Sequence, residues 1–195
     1  AWEGKHKRGE KKTEKVRVER GDVRADGGGT GLGKGGGNYG AYMREGEEAE
    51  KKGFSQVLWL EGVEMKYIDE VGAMNVMFKI DGKIVTPDIS GGTVLPGITR
   101  KSCIQVLKDW GYEVEERKLS VDELIEAAES GKLEEAWGCG TAAVVSPIGL
   151  LSYKDKDHII ADNKIGPVTQ SLYDELTGIP WGTVPDTRGW IVKVC

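Results

Sequence analysis

A single lysine set in a run of glycines is the first residue with a chemical reading. Residues 27–37, GGGTGLGKGGG, hold eight glycines in eleven positions around Lys34. Glycine tolerates positive φ and lets backbone approach a ligand closely. A lone amine there invites a phosphate-binding role. Two phosphate motifs fit in part. Gly28 to Gly33 followed by Lys34 has the spacing G-x-x-x-x-G-K, but the next position must be Ser or Thr to ligate magnesium, and here it is Gly35. Gly31-x-Gly33-x-x-Gly36 fits a dinucleotide fingerprint, yet a segment this rich in glycine matches such spacing readily. The acid that pattern wants ~20 residues further on would fall on the helix that follows. A nucleotide-binding loop at 28–35 is thus one reading, and Gly35 argues against it. Taken alone, Lys34 reads more simply as a surface lysine on a loop.

Other residue groups carry chemistry of their own. Glu70, in YIDEVGAMN, stands at the entry to an apolar strand, where full exposure is hard to arrange. LPGITR (95–100) places Ile98 and Thr99 at a helix start, whose unpaired amides and favourable dipole suit an anion. WGCGTA (137–142) puts Thr141 and Ala142 in a glycine-flanked turn, a setting for a nest of backbone N–H groups.

The run GGTGLGKGGGNYG (28–40) resembles the active-site segment of branched-chain amino acid aminotransferases of the fold-type IV pyridoxal phosphate family. There a lysine sits amid glycines and Gly-Asn-Tyr follows. The likeness continues in family order through FSQVLWLEGVEMKYIDEVGAMNVMF (54–78), GTVLPGITRKS (92–102), YEVEERKLSVDELIEA (112–127), EEAWGCGTAAVVSPIG (134–149) and IGPVTQSLYDELTGIPWG (165–182). It covers about residues 13–194.

The resemblance implies pyridoxal 5'-phosphate as cofactor and reversible amino transfer from Leu, Ile or Val to 2-oxoglutarate. It makes Lys34 the amine that bonds to the cofactor aldehyde and shuttles the proton. A free lysine, with a pKa near ~10.4, is a poor nucleophile, so its site must favour the neutral form. The same resemblance gives Glu70 the pyridine nitrogen and Tyr39 the phenolic oxygen. Ile98, Thr99 and Thr141 would hold the phosphate, and Thr141 with Ala142 the substrate carboxylate. No metal is implied. The family associates as homodimers, which is the partner expected here beside the amino acid and 2-oxo acid substrates.

A complete family member is nearly twice this length, and its N-terminal domain adds an arginine and aromatic residues to the site. Residues 1–13 hold no counterpart. They read as the remnant of an interdomain linker, with 14–195 as the cofactor-binding large domain. A non-catalytic remnant of the same fold is the second reading. Ala73 stands where many relatives have threonine, and Ala143 and Ser146 where some carry a Cys-x-x-Cys pair.

The elements that must position these residues follow from pattern. Residues 14–25 read as a strand or short hairpin around Arg20-Gly21-Asp22, and Asn38–Gly53 as a helix carried by Tyr39, Tyr42, Met43 and Ala49. Gln56–Leu60 is a buried strand. Val71–Ile80 pairs with Ile84–Thr86 across Asp81-Gly82, a strong hairpin signal. Ile98–Trp110 is a helix ending at Gly111, and Tyr112–Leu119 a strand. Ser120 with Glu123 makes a capping box for helix 121–130. Helix 167–177 starts at Pro167 and stops at Gly178, and Trp190–Val194 closes the chain as a strand. The class is α+β, or mixed α/β, with a mixed, mostly antiparallel sheet and packed helices. By resemblance it is the large domain of the D-amino acid aminotransferase-like fold.

Composition narrows the rest. Residues 1–20 carry +4 against −9 elsewhere, for a net −5, but the basic arm is interleaved with Glu and reads as a solvated linker, not a nucleic-acid arm. No apolar run approaches the ~18 residues of a membrane span. No signal peptide is visible, and the absence of a starting methionine reads as a fragment or processed product. Three widely spaced cysteines, Cys103, Cys139 and Cys195, form neither a zinc pattern nor an even disulfide set, which points to a reducing, cytoplasmic compartment.

Overall fold

The computed structural model describes residues 12–33 and 35–194. Nine strands form one sheet: β1 (Glu14–Val18), β2 (Gln56–Leu60), β3 (Ile68–Val71), β4 (Asn75–Ile80), β5 (Lys83–Thr86), β6 (Val114–Glu116), β7 (Leu133–Gly140), β8 (Val144–Tyr153) and β9 (Lys156–Ile159). Their order is β3-β2-β1-β8-β7-β4-β5-β6, with β9 on β8. Helices α1 (Gly37–Lys51), α2 (Ile98–Asp109), α3 (Val121–Glu129) and α4 (Pro167–Trp181), with a short 3-10 turn at Ala161–Asn163, complete the described part. Pairings are antiparallel except β1 with both neighbours and β5 with β6, so the sheet is mixed and mostly antiparallel.

Strand alternation builds two cores from one sheet. On β4, Val76 and Phe78 join Leu58, Leu119, Leu124 and Leu133 on one face, where α3 packs. Met77 between them faces the other way, into Ile84, Cys103, Leu107, Trp137 and Leu172 beneath α2 and α4. Ala136 and Trp137 on β7 split in the same manner. Burying each large apolar side chain contributes ~1.5–3 kcal/mol, which is why the period of two fixes the register. Ala49 of α1 packs on Val57 and Trp59 of β2 in a smaller cluster.

Local chemistry accounts for most boundaries. Asp81 and Gly82 both take positive φ, 51° and 78°, as the tight turn between β4 and β5 requires. Ser120 caps α3 by accepting from Glu123 N at 3.1 Å, but the Glu123 carboxylate turns to Arg117 and not back to the cap. Only half of the capping box forms.

Several expectations are corrected. Residues 190–194 make no strand, because Asp186 accepts from Arg188 N and Ile191 N and bends the chain, while Arg188 pins it to Asp109 and Glu175. Of 112–119 only three residues are strand, since Leu119 and Ser120 pair instead with the Tyr67–Ile68 edge. Residues 19–25 leave the sheet after β1, where Glu19 accepts from the amides of Arg20 and Gly21. Residues 72–74 turn the chain between β3 and β4. Helix α4 continues past Gly178 to Trp181 and ends at Gly182, φ 70°. Gly178 serves packing: a Cβ there would overlap the Val184 side chain. The face of α1 that is buried carries Asn38, Glu45 and Ala49, whereas Met43 is exposed.

Candidate active site

The chemistry-bearing motifs gather at the sheet end where β3 and β7 finish and β4 and β8 begin. Glu70, on β3, is 2% exposed. Its Oε1 accepts from Leu95 N at 2.8 Å and from Asn75 Nδ2 at 3.2 Å, and its Oε2 lies 3.1 Å from Arg24 Nε. Burial raises its pKa, and the Arg24 guanidinium and the Leu95 amide work against that rise. Beside it Asp69, also buried, takes the Thr93 hydroxyl at 3.0 Å, and burial pushes its pKa up to about 6.

Asn75 ties this acid to the start of α2. The same Nδ2 donates to Leu95 O at 2.8 Å. A Cβ on Gly97, the N-cap of α2, would overlap Asn75 Oδ1. Gly97 has no side chain to satisfy the first-turn amides, and among the described residues no other side chain caps them, so Ile98 and Thr99 open an uncapped helix end. The Ile98 side chain is exposed. Asn75 also stands opposite Cys139 on β7, and Thr141 and Ala142 follow two and three residues later in an exposed turn. The turn returns through Val144, which takes φ 58°, an uncommon value for a β-branched residue.

The glycine loop reaches the same place from β1. Arg24 Nη2 donates to Thr93 O. Gly31 lies against the same segment, so closely that a Cβ there would come within 2.8 Å of Thr93 Cα and overlap Gly92 O. Here glycine is required by close approach, not by φ. Lys34 itself lies outside the described residues. Tyr39 stands in the first turn of α1, with its side chain outside them.

Glu70, Ile98 and Thr99 are thus joined through Asn75 and Leu95, and Thr141 with Ala142 follows the strand that pairs with Asn75. Sequence reading missed Arg24, Asn75 and Thr93. Asn75 stood inside a quoted motif without a role. Arg24 had no signal, because a buried arginine looks like its exposed neighbours until its partner is known.

The mixed sheet with its packed helices is the fold of the fold-type IV aminotransferases, and the chain belongs to the class IV amino-transferase family, whose model matches residues 6–151. Among its relatives, the probable branched-chain-amino-acid aminotransferase of Staphylococcus aureus (strain N315) is 52% identical over 183 residues, covering 94% of this chain and 51% of the relative. Branched-chain-amino-acid aminotransferase 2 of Bacillus subtilis (strain 168) is 52% identical over 180 residues, covering 92% and 49%. Among solved structures, the T.th. branched-chain amino acid aminotransferase with pyridoxamine 5'-phosphate matches with a TM-score of 0.79 at 30% identity, over 97% of this chain and 58% of that one. The Escherichia coli branched-chain enzyme matches at 0.76 and 29%, over 91% and 56%. The chain spans about half the length of the curated relatives it matches.

Proposed function

We propose that this chain is the cofactor-binding large domain, residues 14–195, of a pyridoxal 5'-phosphate-dependent branched-chain amino acid aminotransferase, with 1–13 belonging to the interdomain linker. The observation that carries this is Glu70: a carboxylate 2% exposed, braced by Arg24 and linked by Asn75 to an uncapped helix start. Free surface acids have no such arrangement. It suits a ligand with a basic ring nitrogen at one end and a phosphate at the other, so the residues present fit the group.

In this reading Glu70 holds a proton at the ring nitrogen, and Arg24 favours its ionised form against the burial that disfavours it. Backbone amides of Ile98 and Thr99 hold the phosphate through the helix end, and Thr141 adds its hydroxyl and amide. Tyr39 donates to the phenolic oxygen. Amides of Thr141 and Ala142 bind the substrate carboxylate. The Lys34 amine carries the cofactor and moves the substrate's α-proton. Pyridoxal phosphate, when bound, supplies the carbonyl that takes up the amino group and the ring that accepts electron density. The donors would be Leu, Ile or Val and the acceptor 2-oxoglutarate. The fold's second half would complete the pocket, and a homodimer in the cytoplasm is the assembly this reading expects.

The test is direct. The chain is mixed with pyridoxal phosphate, reduced with borohydride and mapped by mass spectrometry beside Lys34→Ala. A single adduct at Lys34, lost in the variant, supports the reading. Labelling scattered over surface lysines and unchanged by the substitution overturns it for this chain and favours a non-catalytic remnant.

A further inference from the structure

Asn38 is 5% exposed, and every polar atom of its side chain is committed to the glycine loop. Its Nδ2 donates to Thr30 O at 2.8 Å and to Gly33 O at 2.9 Å. Its Oδ1 accepts from Thr30 Oγ1 at 2.7 Å. Its own backbone N–H donates to Gly35 O at 3.1 Å. One residue therefore holds the carbonyls on both sides of position 34. Gly33 N donates in turn to Thr30 O at 2.9 Å, closing a ring of bonds from residue 30 to residue 38.

A segment with glycine at 31, 33, 35, 36 and 37 has the greatest backbone freedom a chain can have, and any geometry it keeps must be imposed from outside. Gly31 is seated on Gly92 and Thr93. At its other end the loop is held by Asn38, buried on α1 and so fixed to the fold. Solvent-facing asparagines at helix starts ordinarily cap their own helix. This one turns backward to the loop, and the N-cap of α1 is Gly36, which makes no side-chain cap.

We infer that Asn38, with Thr30 as its partner, is a positioning residue for Lys34, acting by fixing the loop carbonyls on either side of that position. This rests on the reading of Lys34 as the cofactor lysine. Asn38 touches no reacting atom in this scheme; it acts through the loop. The chemistry needs both halves of its amide. A carboxylate in its place would set oxygen against the carbonyls of Thr30 and Gly33, so Asn38→Asp should be as damaging as Asn38→Ala. Thr30→Val removes one bond of the ring and should do less, and Thr30→Ser should restore the native behaviour.

The experiment uses two readouts on the 195-residue chain. Hydrogen exchange of the cofactor-free protein should show peptides spanning 28–37 exchanging at least tenfold faster in Asn38→Ala and Asn38→Asp, with residues 56–60 unchanged. The rate of borohydride-trapped labelling of Lys34 by pyridoxal phosphate should fall by a similar factor in both variants, fall less in Thr30→Val and stay native in Thr30→Ser. Native exchange and native labelling rate in Asn38→Ala overturn the inference. So does faster exchange across 56–60 as well, which makes Asn38 a general stability residue. If the unsubstituted chain never labels at Lys34 while 28–37 stays protected, the reading of Lys34 has failed and the assigned purpose fails with it. The loop latch itself then stands as geometry without that role.

Discussion

Replacing Arg24 with methionine tests whether the pair at the heart of the site is what opposes the rise that burial imposes on the Glu70 pKa. Both side chains are almost wholly inaccessible, 5% for Arg24 and 3% for Glu70, and Arg24 Nε lies 3.1 Å from Glu70 Oε2. Methionine keeps much of the aliphatic stem and removes the charge. An uncompensated buried carboxylate costs about 3–5 kcal/mol. With an unfolding slope of about 2 kcal/mol per molar urea, the denaturation midpoint should fall by roughly 1.5–2.5 M at pH 8. The loss should depend on pH with a definite sign. Burial already raises the Glu70 pKa and Arg24 opposes that rise, so its removal raises it further. A group whose folded pKa lies above its unfolded value contributes stability below the unfolded pKa and loses it as pH climbs through the folded one. The deficit should therefore shrink at pH 5 and grow toward pH 8. Adding Glu70→Gln removes the stranded charge and should recover about half of the loss, the remainder reflecting the Thr93 carbonyl that Arg24 also served. Equal losses at pH 5 and pH 8, with no recovery in the double variant, would refute the pairing.

Three further outcomes follow from other buried groups. Glu135 accepts from Val168 N, Thr169 N and the Thr169 hydroxyl at the start of α4, at 3.1, 2.9 and 2.7 Å, so Glu135→Ala should cost about 3 kcal/mol by urea denaturation, with Glu135→Gln in between. Asp69 is buried with its pKa pushed up to about 6 from 3.8, so the folded chain should lose stability as pH rises through roughly 4 to 6, by up to about 3 kcal/mol. Asp69→Asn should flatten that part of the profile, and an unchanged pH slope would contradict the assignment. Cys103 and Cys139 are both buried, and the neighbouring Cys103 thiol together with burial pushes the Cys139 thiol well up. Iodoacetamide should leave both unmodified in the native chain and react after unfolding, which peptide mapping would read.

The residues of the candidate site stood out in the sequence because they lie in short contiguous motifs. Glu70, Ile98 and Thr99 carry local signals, an acid entering an apolar strand and a Pro-Gly helix start, and the fold places them together. Arg24 and Thr93 were not legible, because their roles exist only across long sequence separations. Asn38 was visible as part of Gly-Asn-Tyr, but not as the residue that binds the loop behind it. The hairpin of β8 and β9 escaped notice because its turn puts Lys154 and Asp155 at positive φ without glycine, the usual marker. Gly178 misled in the opposite sense: it read as a helix stop, where its smallness admits Val184 beside a helix that goes on.

The position of β1 bears on how the chain is made. β1 sits parallel between β2 and β8, and Glu14 accepts from Ser146 Oγ, 132 residues away. At ribosomal rates of ~5–20 residues per second, roughly 7–26 s separate the emergence of these two partners. Through that interval β1 can pair only on its β2 side. Its other edge waits for a strand not yet synthesised. Closure of the sheet is therefore a late, long-range event, whereas the glycine loop finds its own anchors, Asn38, Gly92 and Thr93, well before it. An unpaired strand edge held open that long is a point at which a nascent chain is exposed to aggregation and to chaperone capture.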